Sequence, residues 1–237
     1  MDYVTLNNGV KMPLEGFGVF QVPDPVQCKQ AVLDAIAAGY RLIDTAAAYM
    51  NEKAVGAAIT KCGVPREELF ITTKLWVQDA GYEAAKKAIQ TSLDNLGLDY
   101  LDLYLLHWRG AVPLAETGEC MEQLKAKGRI RAWGVSNFDA LDMDELMEVT
   151  GGSRCATDQV LYHLGSRGVE FDLLPWMQQQ GMPMMAYCPL AQAGSLRRDL
   201  AGCAAVQNAA AAHGVSPWQV LLAFLLTRPG VYPIPRS

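Results

Sequence analysis

The chain has 237 residues, 51% of them hydrophobic and 19% charged, with a net charge of -5 and a pI near 5.2. This is the composition of a globular chain with ample core material, and its acidity, with no run of Lys or Arg, argues against a nucleic-acid surface. No apolar stretch approaches the ~20 residues that span a bilayer, and six scattered cysteines without a CxxC pair suit free thiols in a reducing cytosol. The start, MDYVTLNNGV, has neither the basic nor the apolar region of a signal peptide, so a cytoplasmic location is expected. The three histidines, at 107, 163 and 213, form no metal-spaced cluster, and no metal site is expected.

From the N-terminus, VTLNNGVKM reads as a hairpin with two short alternating arms about Asn8-Gly9, a two-residue turn dipeptide. Short apolar runs then alternate with helix-patterned stretches. Strands are expected at 15–20 (EGFGVF), 40–46 (YRLIDTA), 69–75 (LFITTKL), 101–108 (LDLYLLHW), 131–138 (RAWGVSNF), 157–163 (TDQVLYH), 182–189 (MPMMAYCP) and 230–236 (GVYPIPR). Each is apolar enough to be buried on both faces, as parallel strands are. Between them apolar residues recur at helical spacing, and a glycine closes each stretch: Gly39, Gly63, Gly97, Gly128, Gly151 and Gly181. Pro175, in EFDLLPWMQQQG, must kink its helix or mark its start. AVQNAAAAHGVSPWQVLLAFLLTRPG breaks at Gly214 into two helices.

Regular alternation of this kind predicts a parallel sheet with crossover helices. Eight strands predict a single (β/α)₈ TIM barrel over residues 1–237 with an N-terminal β-hairpin, rather than an open doubly wound sheet. The open sheet would carry a Gly-rich phosphate loop, and GFGVFQ lacks its third glycine and the downstream acid. A helix should follow the eighth strand. The sequence stops at IPRS, so the expectation is a barrel whose final helix is missing, with the flank exposed, covered by another chain, or completed by a segment outside this sequence.

Chemistry in such barrels gathers at the C-terminal ends of the strands. The second strand ends at Asp44, the third at Lys74 and the fourth at His107, and Tyr49 follows on the loop after Asp44. Alone, each has an ordinary structural reading as a cap, a snorkelling lysine, a core histidine or a packed ring. Together, on successive strand ends, they predict a site. A buried Asp and Lys on neighbouring strands pair, because neither tolerates isolation. The ammonium is expected to lower the Tyr49 pKa from ~10 and make it a general acid. His107 donates a hydrogen bond to the same carbonyl oxygen. Such a site polarises a carbonyl but holds no reductant, so a hydride must come from a cofactor.

IDTAAAY with NEKAVG, ITTKLW, LLHW and GVSNF, in this order, resemble the aldo-keto reductases, over essentially the whole chain. The resemblance implies an NADP-dependent oxidoreductase barrel that binds extended NADP(H) across its C-terminal face without a Rossmann fold. It implies Asp44, Tyr49, Lys74 and His107 as the catalytic set. For the cofactor it implies Ser136, Asn137 and Gln159 at the carboxamide, Tyr187 stacked on the nicotinamide, and Cys188, Leu190 and Gln192 along the pyrophosphate. Gly18, Val19 and Asp44 complete that set, and Arg236 and Ser237 of IPRS resemble the residues that bind the adenosine 2′-phosphate. Phe20, Trp76, His107 and Trp108 are implied as pocket walls. The loop after Trp108 is short, so an open mouth and small aldehydes, dicarbonyls or keto sugars are expected. The partners implied are a small carbonyl substrate, with neither nucleic acid nor membrane, and a monomeric chain.

Departures carry expectations of their own. Met50 stands where the family commonly has Gly and is expected to crowd the loop. The first hundred residues resemble the bacterial diketo-gluconate reductases, and the part from LYLLHWRG onward resembles a bacterial branch that reduces methylglyoxal. A mosaic joined near residues 100–105 is therefore implied. The ending at IPRS carries the expectation of weaker NADP(H) binding and of self-association through the uncovered flank. Two rivals stay open: a Schiff-base lyase with Lys74 as nucleophile, which needs a neutral lysine, and a nucleotide-binding or regulatory barrel without turnover.

Overall fold

A computed structural model describes residues 2–191 and 199–236. The hairpin pairs β1 (Tyr3–Thr5) with β2 (Lys11–Pro13), antiparallel, with Val4 opposite Met12. Its turn is longer than the Asn8-Gly9 dipeptide suggests. The Gly9 N–H donates to Leu6 O at 2.9 Å, and Gly9 itself lies at φ 84°. This is a three-residue loop whose last position is left-handed and therefore favours glycine.

The eight barrel strands are β3 (Gly16–Gly18), β4 (Leu42–Asp44), β5 (Phe70–Leu75), β6 (Leu101–Leu106), β7 (Ile130–Ser136), β8 (Asp158–Leu161), β9 (Met184–Tyr187) and β10 (Val231–Ile234). Each is parallel to its neighbours. The sheet curls until the Gly18 N–H donates to Pro235 O at 2.8 Å, which brings β10 back to β3. That approach is tight. A Cβ on Gly16 would lie 2.4 Å from Leu42 Cδ2 and 2.7 Å from Ile234 Cγ2. The molecule is a TIM barrel, and every apolar run read as a strand overlaps one.

The helices are α1 (Pro25–Ala37), α2 (Glu52–Ile59), α3 (Tyr82–Leu96), α4 (Leu114–Ala126), α5 (Ala140–Glu148), α6 (Leu173–Gln179), α7 (Ala204–His213) and α8 (Pro217–Leu226). The starts of α1 and α8 follow from side chains that satisfy the free N–H groups of a first turn. Asp24 accepts from Gln27 N–H ahead of α1, and Ser216 forms a capping box with Gln219 ahead of α8. Pro175 lies in the first turn of α6 and so marks its start. Gly214, at φ 64°, ends α7, and α8 leaves at 91° to it. α2 stops at Ile59, well before Gly63. Among the described residues no single helix is long and apolar enough to cross a membrane.

Strand alternation divides the core into two layers. Leu42, Phe70, Leu103, Leu105 and Met185 fill the barrel interior together with Leu6 and Met12 of the hairpin. Asn7 and Asn8 tie that hairpin to the carbonyls of Cys155 and Arg131, at the N-terminal ends of the strands. Ile43, Ile71, Tyr104 and Trp133, on the opposite strand faces, pack against the helices. With period two, Leu42 and Asp44 share a face, as do Phe70 and Lys74, and Leu103, Leu105 and His107. The same alternation that plugs the base with apolar groups therefore lifts polar ones to the top.

Candidate active site

Lys74, near the end of β5, is fully buried. Its Nζ donates to Asp44 Oδ1 at 2.6 Å and to Thr45 O at 2.9 Å. Gln159, on β8, donates from Nε2 to the second Asp44 oxygen at 2.8 Å. The carboxylate is thus held from both sides, which is what lets a charge pair survive burial. Burial disfavours the Lys74 ammonium, but Asp44 and then Tyr49 overcome it, so its pKa stands above the ordinary lysine value. A lysine held charged is a poor amine nucleophile, which counts against the Schiff-base reading.

Tyr49 ends a single 3-10 turn, Ala47–Tyr49, on the loop after β4. Its Oη lies 3.5 Å from Lys74 Nζ. The expected depression of its pKa is not found. Burial raises it, and the opposing pull of Lys74 is smaller, so the phenol stands above its ordinary value. The correction is physical: removing a phenolate from water costs more than one ammonium at this distance returns. Tyr49 is therefore firmly protonated, with a charge beside it that steadies the phenolate as it forms. Met50 crowds nothing. It is 90% exposed and does not line the cavity, and its burden is a backbone φ of 58°.

His107 follows β6 and is buried beneath the rim. Burial, helped by the Lys74 charge, pushes its pKa down to about 3, so the imidazole is neutral at ordinary pH. Its ring meets Tyr49 edge-on at 5.7 Å and Trp76 at 5.4 Å. A neutral imidazole can donate one N–H to a carbonyl oxygen without competing for the Tyr49 proton. The Phe20 ring packs 5.0 Å from that of Tyr49.

These groups open into a cavity of about 470 Å³, within the range of small-molecule sites. Gly18, Phe20, Asp44, Tyr49, Trp76, His107, Trp108, Ser136, Asn137, Gln159, Tyr187, Cys188, Leu190 and Arg236 all line it. Lys74 does not, since it lies beneath Tyr49 and Asp44, and Val19 is buried behind the wall. Gln192 and Ser237 lie outside the described residues. Gln21, Ala48, Pro189 and Ile234 also line the cavity. Pro189 lies within the stretch 188–192 read as passing along the pyrophosphate, whereas Gln21, Ala48 and Ile234 carried no signal in the sequence that set them apart from their neighbours.

On the side away from Phe20, Ser136 Oγ donates to Gln159 O at 2.7 Å. Asn137 donates from Nδ2 to His107 O and to Ser136 Oγ, both at 3.1 Å, and Tyr187 Oη donates to Asn137 Oδ1 at 2.8 Å. Asn137 is therefore largely spent inside the protein, whereas Gln159 Oε1 accepts no hydrogen bond from a described residue. Burial pushes the Tyr187 phenol up to about 12, so it stays neutral, and its ring borders the cavity. Arg236 reaches from beyond β10 to the carbonyls of Phe20 and Gln21, at 3.0 and 3.2 Å.

The model of the Aldo/keto reductase family matches residues 16–237. Methylglyoxal reductase YeaE of Escherichia coli is 47% identical over 241 residues, covering 99% of this chain and 84% of that protein. The glyoxal reductase of Bacillus subtilis is 42% identical, over all of this chain and 82% of its own. Among solved structures, an aldo/keto reductase of Klebsiella pneumoniae in complex with NADP and acetate superimposes with a TM-score of 0.91 at 44% identity, covering 99% of this chain and 84% of that one.

Proposed function

The chain belongs to the aldo/keto reductase family, and on that premise we propose that it reduces small aldehydes and 1,2-dicarbonyls to alcohols, with NADPH as reductant and Tyr49 as proton donor. The carrying observation is the chain of contacts from Asp44 through Lys74 to Tyr49 on the floor of an aromatic cavity, with a neutral His107 alongside.

The residues present fit a nicotinamide dinucleotide. Gln159 Oε1 is open to accept from a carboxamide, Tyr187 offers a neutral ring at the wall, and Arg236 has no acidic partner among the described residues. When bound, NADPH supplies the hydride. The chain's own residues then manage charge and the proton. His107 and Tyr49 Oη both direct hydrogen-bond donors at the substrate oxygen, where negative charge grows. Tyr49 passes its proton to that oxygen, and the Lys74 ammonium steadies the phenolate left behind. Asp44 and Thr45 O keep Lys74 charged and in place. Phe20, Trp76 and Trp108 shelter the reacting oxygen from water. Phe20 and Trp108 are about half exposed, which suits short substrates entering directly from solvent.

The named reductases of methylglyoxal and glyoxal support the dicarbonyl reading. The test is NADPH oxidation at 340 nm with methylglyoxal, glyoxal and simple aldehydes. Tyr49→Phe should lose about 100-fold or more in kcat while still binding NADPH by fluorescence titration. Undiminished turnover by that variant would refute the assigned acid, and no NADPH consumption with any of these carbonyls would refute the substrate class.

A further inference from the structure

We propose that Thr45 and Asn51 form a clasp that positions Tyr49 and couples it to the Phe20 wall of the cavity. Thr45 Oγ1 donates to Asn51 Oδ1 at 2.7 Å, and the two residues are 0% and 3% exposed. The segment they close carries Tyr49. Its own hydrogen bonds amount to Tyr49 N–H to Ala46 O at 3.0 Å and Met50 N–H to Ala47 O at 3.2 Å. One such turn is too short to hold itself in water.

The position of Asn51 makes its orientation informative. It stands immediately before α2, where an Asn side chain ordinarily accepts from an N–H of the first helical turn. Here it makes no such bond. Its oxygen faces Thr45 instead, and its amide donates to Val19 O at 3.0 Å and Val22 O at 3.3 Å. Val19 and Val22 flank Phe20 in the loop after β3. Thr45 is anchored in turn: its N–H donates to Thr72 O at 2.9 Å, and its carbonyl accepts Lys74 Nζ at 2.9 Å. One residue thus holds the ammonium through its backbone and the Tyr49 loop through its side chain. The 3.5 Å gap between Lys74 Nζ and Tyr49 Oη is set at that point. Thr45 and Asn51 touch no substrate, so both are positioning residues.

This inference rests on Tyr49 as proton donor, and the experiment separates the two. Thr45→Val keeps the shape and removes the hydroxyl, Thr45→Ser keeps the hydroxyl, and Thr45→Ala replaces the valine variant if that one does not fold. Loss of the clasp should lower kcat for methylglyoxal about 10- to 100-fold, as small misplacements of reacting groups do. NADPH affinity should fall far less than kcat, since Ser136, Asn137 and Gln159 keep their own hydrogen bonds. The ¹³Cζ resonance of Tyr49, assigned by its absence in Tyr49→Phe, should shift and titrate differently in Thr45→Val. Thr45→Ser should restore both readouts. Wild-type kcat with an unmoved Tyr49 resonance in Thr45→Val would overturn the clasp, as would equal losses in the valine and serine variants. Activity surviving in Tyr49→Phe would instead sink the proton-donor reading, and the resonance would still decide the clasp.

Discussion

Asp158→Asn should make the protein more stable, by an amount that grows with pH. Asp158 begins β8 next to Gln159, is fully buried, and among the described residues has no hydrogen-bond partner on either carboxylate oxygen. Burial raises its pKa well above the ordinary value, the Asp142 and Asp139 charges of α5 push the same way, and the nearby N–H groups of Phe138 and Gln159 pull back without reaching hydrogen-bond geometry. The folded protein therefore keeps a proton that the unfolded chain releases above pH ~3.9. Unfolding then releases a proton, so this group's contribution is present in full below that pH and is lost as pH rises toward the folded-state value. The slope is about 1.4 kcal/mol per pH unit for one proton. Asparagine has nearly the same shape and nothing to ionise, so its advantage should widen by that slope. In a chain of this size the widening is roughly 3–5 °C in Tm per unit. Urea melts of both proteins at pH 4.5, 5.5, 6.5 and 7.5 measure it, and titrating groups not coupled to Asp158 cancel in the difference. A gap that stays constant or narrows with pH would refute the reasoning.

Lys74→Met should cost about 3–5 kcal/mol, because it leaves the buried Asp44 carboxylate with Gln159 as its one side-chain donor among the described residues. Adding Asp44→Asn to that variant should recover most of the stability and none of the turnover, and urea melts paired with the 340 nm assay distinguish this from a merely structural lysine. Met50→Gly should stabilise by up to about 1 kcal/mol, since a left-handed φ is penalised for methionine and free for glycine, offset by the entropy glycine loses on folding. Its kcat should be unchanged, and a lower Tm would show that the exposed side chain contributes a contact.

Much of this molecule is written locally. The short, nearly continuous apolar runs and the helical stripes between them predict a barrel, and Asp44, Lys74 and His107 are legible because each interrupts an apolar strand at its end. The pairing of Asp44 with Lys74 follows from adjacency of their strands and from the cost of burying either alone. The Asn8-Gly9 signal located its turn, though not the turn's length, because Gly9 serves as the left-handed third residue of the loop. Tertiary structure decided what depends on distant partners and on the balance of opposed energies. Gln159 meets Asp44 across 115 residues of chain because a ring brings β8 and β4 together over its mouth. Arg236 reaches Phe20 and Gln21 only where the ring closes. Asn51, by its sequence an ordinary helix cap, turns to Thr45 instead. The direction of the Tyr49 shift is the sharpest case. The sequence supplied the ammonium that lowers it, but how much water is withdrawn from a phenol is a property of the folded surroundings, and here that withdrawal is the larger effect.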